Sequence, residues 1–244
     1  MKEMPLGDNP DAFRFAEELF AGRVDVLILL TGVGTRYLTD VLSEKYPREK
    51  ILDAYKKTLL VPRGPKPIRV LKEWGIPFAL TVPEPNTWNE LLRTLDEHKA
   101  EVPLSGKTVA VQEYGVSNPE LLEGLKARGA RILRVPVYRW ALPDDITPIK
   151  EAITRLLEGR AHAAVFTTAV QITHLLQVAE QMGKKKETVA ALNRVAVASV
   201  GPDCTEALRG SGISVDIEPE SPKMGPLVVA AAEQVPSVLQ RKKK

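Results

Sequence analysis

Few places in this chain hold residues with the makings of chemistry. Three stretches combine small residues and hydroxyls directly after apolar runs: Leu30-Thr31-Gly32-Val33-Gly34-Thr35, Pro62-Arg63-Gly64-Pro65-Lys66 and Glu113-Tyr114-Gly115-Val116-Ser117-Asn118. Two more have the same character, Thr167-Thr168-Ala169-Val170 and Val200-Gly201-Pro202-Asp203-Cys204-Thr205. Small residues let the backbone approach a ligand. Unpaired N–H groups at helix starts attract anions, and threonine hydroxyls add donors. Each turn alone reads as an ordinary cap. Five with repeated chemistry point to a bound anion. Thr31-Gly32-Val33-Gly34 lacks the third glycine of a dinucleotide fingerprint, and no GKS or GKT occurs, so a nucleotide site is disfavoured.

No nucleophile–base set stands out. His98 lies at a charged helix end and reads as solvent-facing, His162 precedes a strand, and His174 on a helix reads as a packing residue. Cys204 sits at a helix start, where a thiol pKa can fall, but no histidine is near it in sequence. It reads as a small cap-region residue. Tyr138, in Val135-Pro136-Val137-Tyr138-Arg139, offers a phenol at a strand end. It is a proton donor in a cleft or, more plainly, a surface-edge tyrosine.

The elements that position these turns alternate. Val24 to Leu30 is an apolar run, followed by Thr58 to Val61, Phe78 to Val82, Thr108 to Val111, Ile132 to Val137, Ala163 to Phe166, Val195 to Val200 and Ser214 to Ile217. Continuous apolar strands mark a parallel sheet covered on both faces. Asp8-Asn9-Pro10 opens a helix with Phe13, Ala16, Leu19 and Phe20 on one stripe. Thr87 caps another that carries Leu91, Leu92 and Leu95. Asn118-Pro119 starts a third, and Gly129 stops it. The fold class is α/β with crossover connections.

The chain has 244 residues, so one large or two compact domains are expected. Lys and Arg number 34 against 31 Asp and Glu; the net charge of +3 is met by Arg241-Lys242-Lys243-Lys244 alone. A near-neutral body gives no duplex-binding footprint. One cysteine excludes an internal disulfide, and three scattered histidines disfavour a zinc site. No apolar run approaches the roughly 18–20 residues of a membrane span, and the start is no signal peptide. The expectation is a cytoplasmic monomer without metal, cofactor, nucleic acid or membrane partner.

Sliding the chain against itself by 137 residues places Gly22-Arg23 on Gly159-Arg160, Thr31 on Thr168, Val33 on Val170 and Leu38 on Leu175. Gly64-Pro65 falls on Gly201-Pro202, Leu71 on Leu208, and Gly75-Ile76 on Gly212-Ile213. The matches share structural points, which is the signature of an internal repeat. Residues 105–137, a strand–helix–strand, have no counterpart ahead of Met1 on this diagonal. The first repeat is expected to lack its opening piece.

Gly106-Lys107-Thr108-Val109-Ala110-Val111, Leu125-Lys126-Ala127-Arg128-Gly129-Ala130, Val137-Tyr138, Ala164 to Val170 and Ala198-Ser199-Val200-Gly201-Pro202 follow in that order. With Ala207-Leu208, Gly212-Ile213 and Glu218-Pro219-Glu220-Ser221-Pro222 they resemble the uroporphyrinogen-III synthase family over nearly the whole chain. The resemblance implies two flavodoxin-like parallel-sheet domains joined by a two-stranded linker, one of them discontinuous. Carried over, residues 8–136 form the continuous domain and 143–244 the second, completed by a segment ahead of Met1, with linkers at 1–6 and 138–142. The family cyclises hydroxymethylbilane, a linear tetrapyrrole, to uroporphyrinogen III. The last pyrrole ring is inverted through a spiro intermediate, and no cofactor is used. Such a reaction asks for folding of the substrate, exclusion of water and help to a departing hydroxide.

By resemblance the substrate-binding positions are Thr31, Gly32, Val33, Gly64, Lys66, Thr167, Thr168, Ala169, Gly201, Pro202 and Cys204, and Tyr138 is the catalytic residue. Two departures reduce hydroxyl donation: Gly32 replaces a common serine, and Cys204 stands where a threonine or serine is usual. The competing expectation is a non-catalytic two-domain binding or regulatory protein for an anionic small molecule.

Overall fold

The computed structural model describes residues 2–5, 9–113, 115 and 117–242, with backbone alone for 2–5, 139 and 140. The chain divides into two compact units, residues 3–140 and residues 1–2 with 141–244.

After β1 (Lys2–Pro5), the first unit runs α1 (Pro10–Phe20), β2 (Val26–Leu29), α2 (Gly32–Ser43), α3 (Arg48–Lys56) and β3 (Leu59–Pro62). It continues with α4 (Pro65–Glu73), α5 (Trp88–Glu97), β4 (Thr108–Glu113), α6 (Pro119–Ala127) and β5 (Arg131–Pro136). Its sheet is parallel in the order β3-β2-β4-β5, with Val26 level with Leu59 and Val109. Every residue of β2 is buried, because helices cover both faces. Alternate side chains serve the two cores, as the pleat requires. Leu27 and Leu29 pack with Phe15, Leu38 and Tyr55, whereas Val26 and Ile28 pack with Leu91, Leu95 and Leu121. Asp25 joins the amino ends of two strands: its carboxylate accepts from Thr108 N at 2.9 Å and from Lys107 Nζ at 3.0 Å. The Thr108 amide and then Lys107 hold its pKa below the usual carboxylate value.

Next comes β6 (Tyr138–Ala141), which pairs with β1 as a two-stranded sheet. The second unit then holds α7 (Thr147–Leu157), β7 (Ala163–Phe166), α8 (Ala169–Gln181), α9 (Lys185–Leu192), β8 (Ala196–Ser199), α10 (Pro202–Gly210) and α11 (Met224–Lys242). β7 and β8 are parallel. The first residues of α1, β2, α2, α3, β3 and α4 stand 137 ahead of those of α7, β7, α8, α9, β8 and α10.

The caps expected at Thr87 and Asn118 are present; Thr87 and Glu90 form a reciprocal capping box. Asp8 of the first helix start lies outside the described residues. Two expected strands are corrected. Phe78 to Val82 is irregular: prolines 77 and 83 bracket it, and Ala79 N to Leu60 O at 2.8 Å is its backbone tie to the sheet. Ser214 to Ile217 is reduced to a single bridge from Ile217 to Ala198.

The two units differ in what covers them. β2 lies between two strands, whereas β7 pairs with β8 alone among the described residues. Ile28 is fully buried, but Val165 at the same offset is 44% exposed. Leu91 and Leu92 of α5 are buried, and a Cβ on Gly124 of α6 would lie 2.3 Å from Leu92 Cδ1. Their counterparts on α11, Val228 and Val229, are 58% and 57% exposed.

Two outcomes follow for unfolding in urea. Leu91→Ala should cost about 2–5 kcal/mol, and Val228→Ala should stay within about 0.5 kcal/mol of the parent. Asp25→Asn should lower stability at neutral pH by about 1 kcal/mol, the worth of one hydrogen bond. Because the folded-state pKa is depressed, that contribution is complete above the ordinary Asp pKa. It should fade as pH falls through the lower folded value, so the two stability curves converge in acid.

Candidate functional site

The site in the first unit is built where β2 ends. Thr31 is extended (φ −143°, ψ 150°) and caps α2, its Oγ1 accepting from Gly34 N at 2.9 Å. Its carbonyl accepts from Thr35 N at 3.0 Å and Thr35 Oγ1 at 2.7 Å. The Thr31 and Tyr138 hydroxyl oxygens lie 3.4 Å apart, with either able to donate. Tyr138 is buried, not a surface-edge residue, and its ring packs at 5.8 Å from that of Tyr37.

Glycines set how closely the chain folds here. A Cβ on Gly32 would lie 2.9 Å from Lys66 O, so the starts of α2 and α4 touch through backbone. Gly64 caps α4 in extended conformation, and Lys66 is exposed in its first turn. Val33 is exposed. Thr31, Gly32, Val33, Gly64, Lys66 and Tyr138 are therefore brought together in residues 3–140. Beside them on β4, Glu113 is buried and accepts from Arg134 Nη2 at 2.9 Å and Ser117 Oγ at 2.7 Å. Its charge is answered within the protein. Tyr114 and Val116 of that turn lie outside the described residues.

In the second unit Thr168 caps α8 in extended conformation and makes no side-chain cap bond. Thr167 is exposed, and its N–H donates to Gln171 Oε1 at 2.8 Å. Thr168 and Ala169 are half-buried. Gly201 precedes α10, and a Cβ there would lie 2.7 Å from Pro222 Cβ; Pro202 is exposed. Cys204 turns inward: it is buried, with Sγ 3.7 Å from Phe166 O. Burial pushes its thiol pKa up. Thr205, one residue on, donates to Glu218.

Among the described residues no histidine side chain is hydrogen-bonded to either turn. His98 pairs with Glu101 at 3.1 Å, and His162 is exposed. His174 is buried beside a cavity of about 340 Å³ lined by Ile149, Val165, Phe166 and Leu175, and burial lowers its pKa. Among the described residues no three His, Cys, Asp or Glu side chains are grouped to hold a metal ion.

Two glutamines escape a reading of the sequence. Gln112 Oε1 accepts from Thr31 N at 3.4 Å, and Gln171 accepts from Thr167 N. The usable signal was Gln112-Glu113, two polar residues ending the buried run Val109-Ala110-Val111. Chemically, the amide-rich start of α2 suits carboxylates, Lys66 adds a cation at the start of α4, where Pro65 and Pro67 carry no N–H, and the Thr31–Tyr138 pair can hold or pass a proton.

The chain is 33% identical over 227 residues to the uncharacterized protein YjjA of Bacillus subtilis (strain 168), spanning 92% of this chain and 80% of that one. It is 32% identical over 177 residues to a putative uroporphyrinogen-III synthase of Methanothermobacter thermautotrophicus, spanning 72% and 67%. A crystal structure of a mutant uroporphyrinogen III synthase from the extremely thermophilic bacterium Thermus thermophilus superposes with TM-score 0.66 at 27% identity, covering 97% of this chain and 87% of that one. The family model for uroporphyrinogen-III synthase HemD matches residues 2–229, and the chain belongs to that family.

Proposed function

We propose that the protein converts hydroxymethylbilane to uroporphyrinogen III with loss of water and inversion of the last pyrrole ring, as a cyclising lyase of tetrapyrrole synthesis. The observation that carries this reading is the Thr31–Tyr138 hydroxyl pair at the amide-rich start of α2. The substrate is a polycarboxylate. The N–H groups of Gly32 and Val33 in the first turn of α2, with the exposed Lys66, suit its carboxylates without burying a formal charge. In the second unit Thr168 and Ala169 offer N–H groups at the start of α8, whereas the Thr167 amide is taken by Gln171, Gly201 N faces Ser199 Oγ at 3.4 Å and Pro202 has no N–H, so these three shape the turns. Cys204 shapes its turn from beneath.

In the reaction Tyr138 donates its proton to the departing hydroxyl, which leaves as water. Thr31 Oγ1 then donates toward the phenolate. The last pyrrole attacks the electrophilic carbon through its substituted position, and the spiro intermediate opens and recloses. The pyrrole proton released on rearomatisation returns to Tyr138, so the cycle closes with no net change in the protein.

Incubating the purified protein with hydroxymethylbilane and separating the isomers tests the reading. Type III product above the spontaneous type I ring is expected; type I alone, with a tetrapyrrole polycarboxylate still bound, gives the non-catalytic binding role. Tyr138→Phe should lower kcat on the order of 10–100-fold, with KM within about threefold. Unchanged type III formation would remove Tyr138 from the mechanism.

A further inference from the structure

The carboxamide of Gln112 has no part in the mechanism above, yet the site is built around it. The side chain is fully buried at the carboxyl end of β4, a strand that pairs with β2 on one edge and β5 on the other. Its Oε1 faces Thr31 N at 3.4 Å, the long end of the hydrogen-bond range. Room for it exists because residue 34 is glycine: a Cβ there would lie 2.0 Å from Nε2 and 2.5 Å from Cδ of Gln112. Gly34 is in the first turn of a helix with no positive φ, so its backbone does not ask for glycine. The neighbouring carboxamide does.

The second unit repeats the device from another element. The residue at the offset of Gly34 is Gln171, in the first turn of α8. Its Oε1 accepts from the Thr167 amide at 2.8 Å, in the turn between β7 and α8. One unit carries the glutamine on the helix, and the other removes the side chain there and brings a glutamine from β4. In both, an amide of the first strand-to-helix turn is held by a neutral acceptor. A carboxylate there would repel an anionic ligand; a carboxamide does not.

We propose that Gln112 is a positioning residue for the reaction: it fixes the Thr31 backbone, and through it the Thr31 hydroxyl that faces Tyr138. This rests on the synthase reading above. The Thr31 side chain is held at both ends of one short path, by Gln112 through its own amide and by Gly34 through Oγ1. Loosening the first lets the hydroxyl drift from the phenol.

The test uses the full chain and the variants Gln112→Met, Tyr138→Phe and their double. Gln112→Met keeps the volume and removes both the acceptor for Thr31 N and the Nε2 donor to Glu113 O. Its kcat for type III product should fall about tenfold or more with KM within about twofold. The double variant should be no slower than Tyr138→Phe alone, because both changes disable one unit of function. Multiplicative losses in the double would overturn the proposal, since a merely structural glutamine acts independently of the phenol. A second measurement needs no activity: hydrogen exchange of the Thr31 amide should be about tenfold faster in Gln112→Met, a change the lost tie predicts. An unchanged rate overturns the proposal even if the parent makes no type III product. Absence of that product in the parent, with faster exchange in the variant, sinks the synthase reading and leaves the glutamine's hold on the turn. Gly34→Ala should lower the melting temperature, and adding Gln112→Ala should restore it without restoring kcat. Failure of that rescue counts against the steric pairing of the two positions.

Discussion

Strand β2 is buried on both faces and paired on both edges, and this fixes where its carboxyl end delivers Thr31. A strand in that setting cannot slip by one residue without turning Leu27 and Leu29 into the wrong core. The register in turn sets the start of α2, the contact of Gly32 with the Lys66 carbonyl and the approach of Tyr138. The groups with chemistry are ordinary ones: amides, two hydroxyls and a lysine. Their usefulness comes from placement, and the placement comes from apolar burial. Each fully buried side chain of β2 contributes roughly 1.5–3 kcal/mol to holding it.

The second unit shows the same plan with less cover. β7 supplies Thr167 and Thr168 as β2 supplies Leu30 and Thr31, yet Val165 is exposed where Ile28 is buried. Its turn holds its own amide through Gln171, a local bond that needs no third strand. The first unit relies on a distant residue, Gln112, and so on the integrity of β4. The two turns have like chemistry but are held by contacts of different range.

Much of the scaffold was legible in the sequence because it depends on periodicity. The apolar runs at β2, β3, β4, β5, β7 and β8, the caps at Thr87 and Asn118, and the turns that follow strands are all written in local pattern. What failed depends on neighbours. Phe78 to Val82 has the composition of a strand, but prolines on both sides leave it a single tie to Leu60. Cys204 occupies a helix start, and only packing decides that it faces Phe166 rather than solvent. Tyr138 gave no sign of burial, because its pocket is made by residues a hundred positions away, such as Thr31 and Tyr37. Gln112 stood out as a polar residue ending a buried run, but its partner was hidden for the same reason: its room comes from the missing side chain at Gly34.

The central claim is that carboxylates land on the amide-rich turns that close the strands. Its most direct test is a titration of the ¹⁵N-labelled protein with a stable cyclic tetrapyrrole polycarboxylate, followed by amide chemical shifts. The amides of Gly32, Val33 and Gly34, and those of Ala169 to Gln171, should shift and saturate. Shifts confined to the opposite end of the first sheet, around the cavity of about 600 Å³ lined by Val24, Lys50, Lys57 and Thr58, would contradict it.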